Sequence, residues 1–152
     1  MPVRCLTKVV YGETGRDWHF EKTLYPSWEE ILAAIDRLDK FRYPWVWLFI
    51  GDEDEDASVD CLTVMGGGGV YWLGLTAGNY DQLRLFDPNK GSHEIQLWTS
   101  DQGFADQEMY VTYDRELVLR IAKHFGETGE PLAEAMWEKL SPDYANDADY
   151  RP

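Results

Sequence analysis

The sequence is poor in the residue types on which most site chemistry depends. Its two cysteines, Cys5 and Cys61, share no metal-ligand or redox spacing, and each sits in a strand-like run. Two buried thiols are the default for that placement, and a disulfide framework is not expected. The three histidines, His19, His93 and His124, are far apart and lack metal-ligand spacing. They read as a strand-edge residue, a turn residue and a residue near a helix C-terminus, where a proton complements the dipole. No serine lies in a nucleophile elbow, and neither cysteine has a base near it in sequence. No catalytic, cofactor-binding or metal-binding residue is therefore assigned, and the chain is expected not to be an enzyme. Positive charge is also scarce, with 14 Lys and Arg against 28 Asp and Glu, a net charge of −14. That balance argues against direct nucleic-acid binding, because phosphate contacts need Lys and Arg. It suits a chain that relies on charge for solubility, and equally one with a basic protein partner. No apolar run approaches a membrane span. The first 25 residues hold no apolar segment long enough for a signal peptide. A cytoplasmic protein is expected.

Aromatic residues are abundant instead, with seven Trp, nine Tyr and six Phe in 152 residues. Such side chains carry large buried area and are favoured at binding surfaces. A hydrophobic content of 44% excludes a largely disordered chain. At this length a folded chain buries roughly 70% of its unfolded surface. One domain is expected over residues 1–140, followed by a loose acidic tail over residues 141–152.

The stretch 59–76 is the expected spine. Two β-prone runs meet across Gly66, Gly67, Gly68 and Gly69, which can take positive φ without a Cβ clash. They read as adjacent antiparallel strands with the turn inside the glycines. A phosphate-binding loop is excluded by spacing, because Val70 and Tyr71 stand where Lys and Ser or Thr are needed. The dinucleotide fingerprint fails too, since its third glycine would fall on Tyr71 or Trp72.

Ahead of that spine, residues 3–11 and 17–23 read as strands. Ser27 and Glu30 form a capping box that opens a helix with Trp28, Ile31, Leu32, Ile35 and Leu38 on one face. Residues 44–50 read as a buried strand. The run Asp52, Glu53, Asp54, Glu55 and Asp56 follows as a solvated loop. It has the first three spacings of a calcium loop but carries Ala57 and Thr63 where Gly and Glu belong. Beyond the glycines, residues 82–86, 94–99 and 109–113 read as strands, with 100–107 as a loop. Asp114 caps a second helix carrying Leu117, Val118, Ile121, Ala122 and Phe125, with Gly126 as its left-handed cap. Residues 132–140 read as a short helix with Met136 and Trp137 turned inward. The expectation is an α+β fold, a single mostly antiparallel β-sheet with two main amphipathic helices packed on it.

Taken in order, several of these signals resemble the first family of immunity proteins in bacterial polymorphic toxin systems. They are Ser27-Trp28-Glu29-Glu30-Ile31 at a helix start, the strand pair from Cys61 to Leu75 around the glycines with Tyr71, and Asp87-Pro88. The helix from Asp114 to Phe125, Glu127-Thr128-Gly129 and Trp137-Glu138 follow. The likeness spans Ser27 to Leu140 and does not include the acidic run. It implies an α+β fold and a non-enzymatic protein that binds and neutralises a cognate toxin domain, often one attacking nucleic acid, such as a deaminase or nuclease. An acidic inhibitor can cover the basic substrate groove of such a toxin, with the field speeding encounter. Asp52, Glu53, Asp54, Glu55 and Asp56, then Asp101 and Asp106, are the expected charged contacts, with Tyr80 and Trp98 as apolar anchors. The free protein is expected to be a monomer or homodimer without membrane contact. Two other readings stay open, a small-molecule-binding or hydrolytic α+β domain and an acidic adaptor subunit.

Overall fold

The computed structural model describes residues 6–13, 19–50, 60–77, 81–99 and 103–140. In chain order the strands are β1 (Leu6–Glu13), β2 (His19–Leu24), β3 (Trp45–Ile50), β4 (Asp60–Gly67) and β5 (Val70–Ala77), then β6 (Asp81–Leu85), β7 (Glu94–Trp98), β8 (Phe104–Gln107), β9 (Val111–Thr112) and β10 (Trp137–Leu140). Helix α1 (Trp28–Asp36) lies between β2 and β3, and α2 (Arg115–Thr128) between β9 and β10. The main sheet runs β10-β6-β5-β4-β3-β1-β2, with the short β9 paired to β5, and all its pairings are antiparallel. The fold is α+β, a mostly antiparallel sheet with two helices.

Strand β4 is the middle of the seven, and the β4–β5 hairpin is the spine expected from its glycines. Val46 and Leu48 of β3, Leu62 and Val64 of β4, and Leu73 and Leu75 of β5 alternate onto one face, where all are buried. Ile31, Ala34 and Ile35 of α1 and Val118, Ile121, Ala122 and Phe125 of α2 pack against them in one core. Burying each Leu, Ile or Phe completely is worth about 1.5–3 kcal/mol, so both helices are held by this face.

Helix α1 starts as its sequence dictates. The Ser27 hydroxyl accepts from the Glu30 amide at 3.2 Å, and the Glu30 carboxylate accepts from the Ser27 amide at 3.0 Å. Ser27→Ala is expected to remove about 1 kcal/mol and lower the melting temperature by about 2–4 °C. Thermal unfolding followed by circular dichroism checks this, and an unchanged midpoint would mean that packing alone fixes the helix start.

Several elements differ from expectation. Residues 104–107 are the strand β8, paired to β7, so a second, two-stranded sheet stands beside the main one. Residues 109–113 divide between a 3-10 turn (Glu108–Tyr110) and β9. Residues 132–140 do not form a helix. Pro131 precedes a turn in which Ala135 donates to the Leu132 carbonyl, and Trp137–Leu140 pairs with β6 instead. Met136 is 55% exposed and faces outward, while Trp137 is half-buried and donates its ring N–H to the Leu132 carbonyl. A strand of four residues whose partner lies more than 50 positions away leaves no local signature. Helix α2 also runs two residues past Gly126, which is buried inside it, and Gly129 at φ +78° is the cap.

The tip of the spine is a junction. Gly66 donates to the Pro44 carbonyl at 3.0 Å, and its own carbonyl accepts from Lys40 at 2.9 Å. Gly67 pairs with Asp39, whose carboxylate holds the amides of Phe41 and Tyr43. The Gly66 amide is thus spent on the chain itself and is not offered to a phosphate.

Candidate functional site

The face of the sheet turned away from the helices holds the polar and aromatic chemistry. Cross-strand register places Trp47, Thr63, Gly74, Arg84 and Glu138 in one row across five strands. Trp45, Met65 and Trp72 form the row on one side, and Phe49, Cys61, Thr76, Gln82 and Leu140 the row on the other. One end of this face is covered by the β7–β8 hairpin, through a small cluster of Val70, Leu97 and Val111 with Met65, Trp72, Ile95 and Phe104. Toward β3 the face carries an aromatic ladder. Trp45 stacks on Trp47 with ring centroids 4.0 Å apart, and Phe49 meets Trp47 edge-on at 6.1 Å. Trp45 is buried, whereas Trp47 and Phe49 are half-buried.

Arg84 is the centre of the covered end. Its Nη1 donates to Asp106 Oδ2 at 3.1 Å and its Nη2 to Glu138 Oε1 at 2.7 Å. The Tyr110 ring lies 3.4 Å from its Cζ. Burial alone would lower the Arg84 pKa, but the Glu138 hydrogen bond, with the charges of Asp106 and Glu138, outweighs it and holds the value above normal. Its Nε is buried without a hydrogen-bond partner. Burial raises the Tyr110 hydroxyl above its usual range, partly offset by the Arg84 charge.

Gly74 is what lets this cluster assemble. A Cβ there would lie 2.6 Å from Trp72 Cη2, so the indole lies over the bare backbone. From that position Trp72 Nε1 donates to Asp106 Oδ2 at 3.0 Å, and Phe104 packs edge-on against the indole at 5.6 Å. Trp72, Gln82, Arg84, Phe104, Ala105, Asp106 and Leu140 line an open cavity of about 340 Å³.

A second polar group lies beside this one. Glu108 accepts from the Gly91 amide at 3.2 Å and from the Tyr113 hydroxyl at 3.0 Å, and these bonds lower its pKa. Its Oε2, the oxygen that accepts from Tyr113, is also 3.7 Å from His93 Nε2. Among the described residues no group of three His, Cys, Asp or Glu could hold a metal ion. No described helix is long and apolar enough to cross a membrane.

Of the residues expected at a partner surface, Asp52, Glu53, Asp54, Glu55, Asp56, Tyr80 and Asp101 lie outside the described residues. Trp98 closes β7, half-buried and paired with Phe104. Asp106 is not the loop carboxylate it was expected to be. It sits in β8 with its side chain 16% exposed, because Arg84 and Trp72 both draw it inward. Arg84, Trp72, Phe104, Tyr110 and Glu138 were not anticipated. Two signals pointed at them, an arginine inside the apolar run 83–86 and a glycine two residues after a tryptophan.

No known protein family, curated protein or solved structure matches this chain.

Proposed function

We propose that this chain is an immunity protein that binds and neutralises a cognate bacterial toxin domain acting on nucleic acid, without catalysing a reaction itself. The order of its motifs is the reason for naming the family. The observation that carries the binding role is the sheet face opposite α1 and α2, where half-buried Trp47 and Phe49 of β3 lie on the same face as the Arg84 cluster of β6 in a chain of net charge −14. Aromatic anchors of this kind set the lifetime of a complex, while surrounding charge sets its rate of formation. A basic nucleic-acid groove on the toxin supplies the complementary surface, and the acidic protein shields it from substrate.

Co-expression with the toxin domain encoded beside it tests this reading. A stable co-purifying complex that blocks the toxin is the expected result. Neutralising Glu53, Asp54 and Glu55 together is expected to slow association about tenfold at low salt and to flatten its salt dependence. Trp47→Ala is expected to act on dissociation instead. An unchanged association rate in the triple variant would leave the acidic run as a solubility device. Failure to form any complex, with reproducible turnover by the purified chain, would favour a small-molecule or hydrolytic domain.

A further inference from the structure

We infer that the loop between α1 and β3, residues 37–43, is a docking surface for carboxylates of the protein partner. The inference deepens the binding role proposed above and rests on it for the identity of that partner. The chain has only 14 Lys and Arg, yet Arg37, Lys40 and Arg42 stand together in this loop against the single carboxylate of Asp39. No stretch of seven residues elsewhere in the sequence holds three cations. Arg37 and Arg42 are exposed, and the Cζ of each lies over the Tyr43 ring, 5.3 and 5.4 Å from its centre. A guanidinium held against an aromatic face keeps its N–H donors in its own plane, where a carboxylate can accept two of them. Phe41 is 61% exposed, the most exposed large hydrophobic side chain among the described residues. Aromatic and arginine side chains together are the usual composition of a binding hot spot.

The loop backbone is fixed before a partner arrives. Asp39 Oδ1 accepts from the amides of Phe41 and Tyr43, and the Asp39 amide donates to the Tyr43 carbonyl at 3.1 Å. Lys40 donates to the Gly66 carbonyl, and its own carbonyl accepts from Thr99. These bonds hold Lys40 at φ +69°, which a residue with a side chain adopts rarely. Glycine would suit that φ better, so the turn does not account for a lysine there, and its charge does. With the backbone set, little ordering remains to be done on binding. Charge also decides the class of partner. A free nucleic acid is negative at every phosphate and is repelled by a chain of net charge −14. A protein with a basic surface is attracted as a whole, and carboxylates set within that surface find their complement in this loop. Enzymes acting on nucleic acid use such carboxylates for general acid–base or metal chemistry.

The test uses the whole chain and the blocked peptide acetyl-Gly-Glu-Phe-Glu-Gly-amide. The neutral control is acetyl-Gly-Gln-Phe-Gln-Gly-amide, and single-stranded oligothymidylate is the polyanion. Binding at low salt is followed by NMR at the backbone amides of Phe41 and Tyr43. A saturable shift with the glutamate peptide, at least about tenfold weaker with either of the other two, is the expected result. Arg37→Gln combined with Arg42→Gln, both at exposed positions, is expected to abolish the shift while the melting temperature holds. Lys40→Gly is expected to weaken binding severalfold, again with the melting temperature held, because its φ suits glycine. Absence of a saturable shift, an equal response to the neutral peptide, equal or tighter binding of oligothymidylate, or full binding in the double arginine variant would each overturn the inference. These outcomes are separable from the proposed function. A toxin complex whose affinity is unchanged by the double arginine variant leaves the immunity role standing and removes the loop from it. Peptide binding without any toxin complex keeps the loop as a carboxylate site and removes the toxin as its partner.

Discussion

Gly67→Val is expected to be the most damaging single substitution in the spine, lowering the melting temperature by about 10–20 °C. Gly67 holds φ at +129°, where a residue with a Cβ is strained whatever the space around it. A Cβ there would also sit 2.4 Å from both the carbonyl carbon and oxygen of Leu38, and 2.5 Å from the Asp39 amide nitrogen. These atoms are backbone and cannot rotate aside. Relief requires moving the segment after α1 away from the hairpin, which breaks the Gly67–Asp39 bridge and the Lys40-to-Gly66 hydrogen bond. Thr99 donates to the Lys40 carbonyl at 2.8 Å, so the same shift reaches the end of β7. Losses above about 4–5 kcal/mol are exceptional for one substitution, and at about 2–4 °C per kcal/mol they give the stated range. Gly68→Ala is the control. Its φ of +63° is left-handed, yet nothing lies within 4 Å of the added Cβ, so the cost is about 1–2 kcal/mol. Calorimetry on both variants separates the two effects. Equal shifts would mean that positive φ alone, and not the approach of Leu38, makes Gly67 necessary.

That junction also shows how far the sequence could be read. Four consecutive glycines announce a hairpin tip, and the strands on either side announce its two arms, because turn chemistry and β-propensity are local. The capping box at Ser27 and the periodicity of α2 are local as well. Nothing local says that Gly67 must approach Leu38, since the two meet only after α1 and β3 have packed. The same holds for β8 and β10. Phe104–Gln107 is short and polar at its end, and its strand character comes from β7 beside it. Residues 136–140 begin with a helix-like pair of inward candidates in Met136 and Trp137, and only the pairing of Trp137–Leu140 with β6 decides against that reading. The candidate site was the least legible part, for a related reason. Arg84, Asp106, Tyr110 and Glu138 are spread over 55 positions, and each taken alone is an ordinary polar residue. The acidic composition pointed to loops, whereas Asp106 and Glu138 are both held inside a cluster by one arginine.

The last expected result concerns that arginine. Arg84→Met is expected to destabilise the protein by about 3 kcal/mol, with a fall of about 6–12 °C in melting temperature. Methionine preserves much of the aliphatic volume, so the loss is not mainly one of packing. It is electrostatic, because removing the guanidinium leaves Asp106 and Glu138 facing each other without a cation. Asp106 is 16% exposed and cannot regain full hydration in place, whereas Glu138 at 33% partly can, which puts the cost at the lower end for a buried pair. Asp106→Asn is expected to cost less, about 1–2 kcal/mol, because Arg84 keeps Glu138 and the amide oxygen still accepts from Trp72. Combining the two should cost less than their sum, with a coupling of about 1–3 kcal/mol. Arg84→Lys should fall between wild type and Arg84→Met, since an ammonium keeps the charge but cannot hold two carboxylates in a planar fork. Near-ultraviolet circular dichroism reports on the Trp72 environment in the same samples. Strict additivity of Arg84→Met and Asp106→Asn would show that the two side chains act independently. The cluster would then be a packing feature of β6 and its neighbours and not a preformed electrostatic unit.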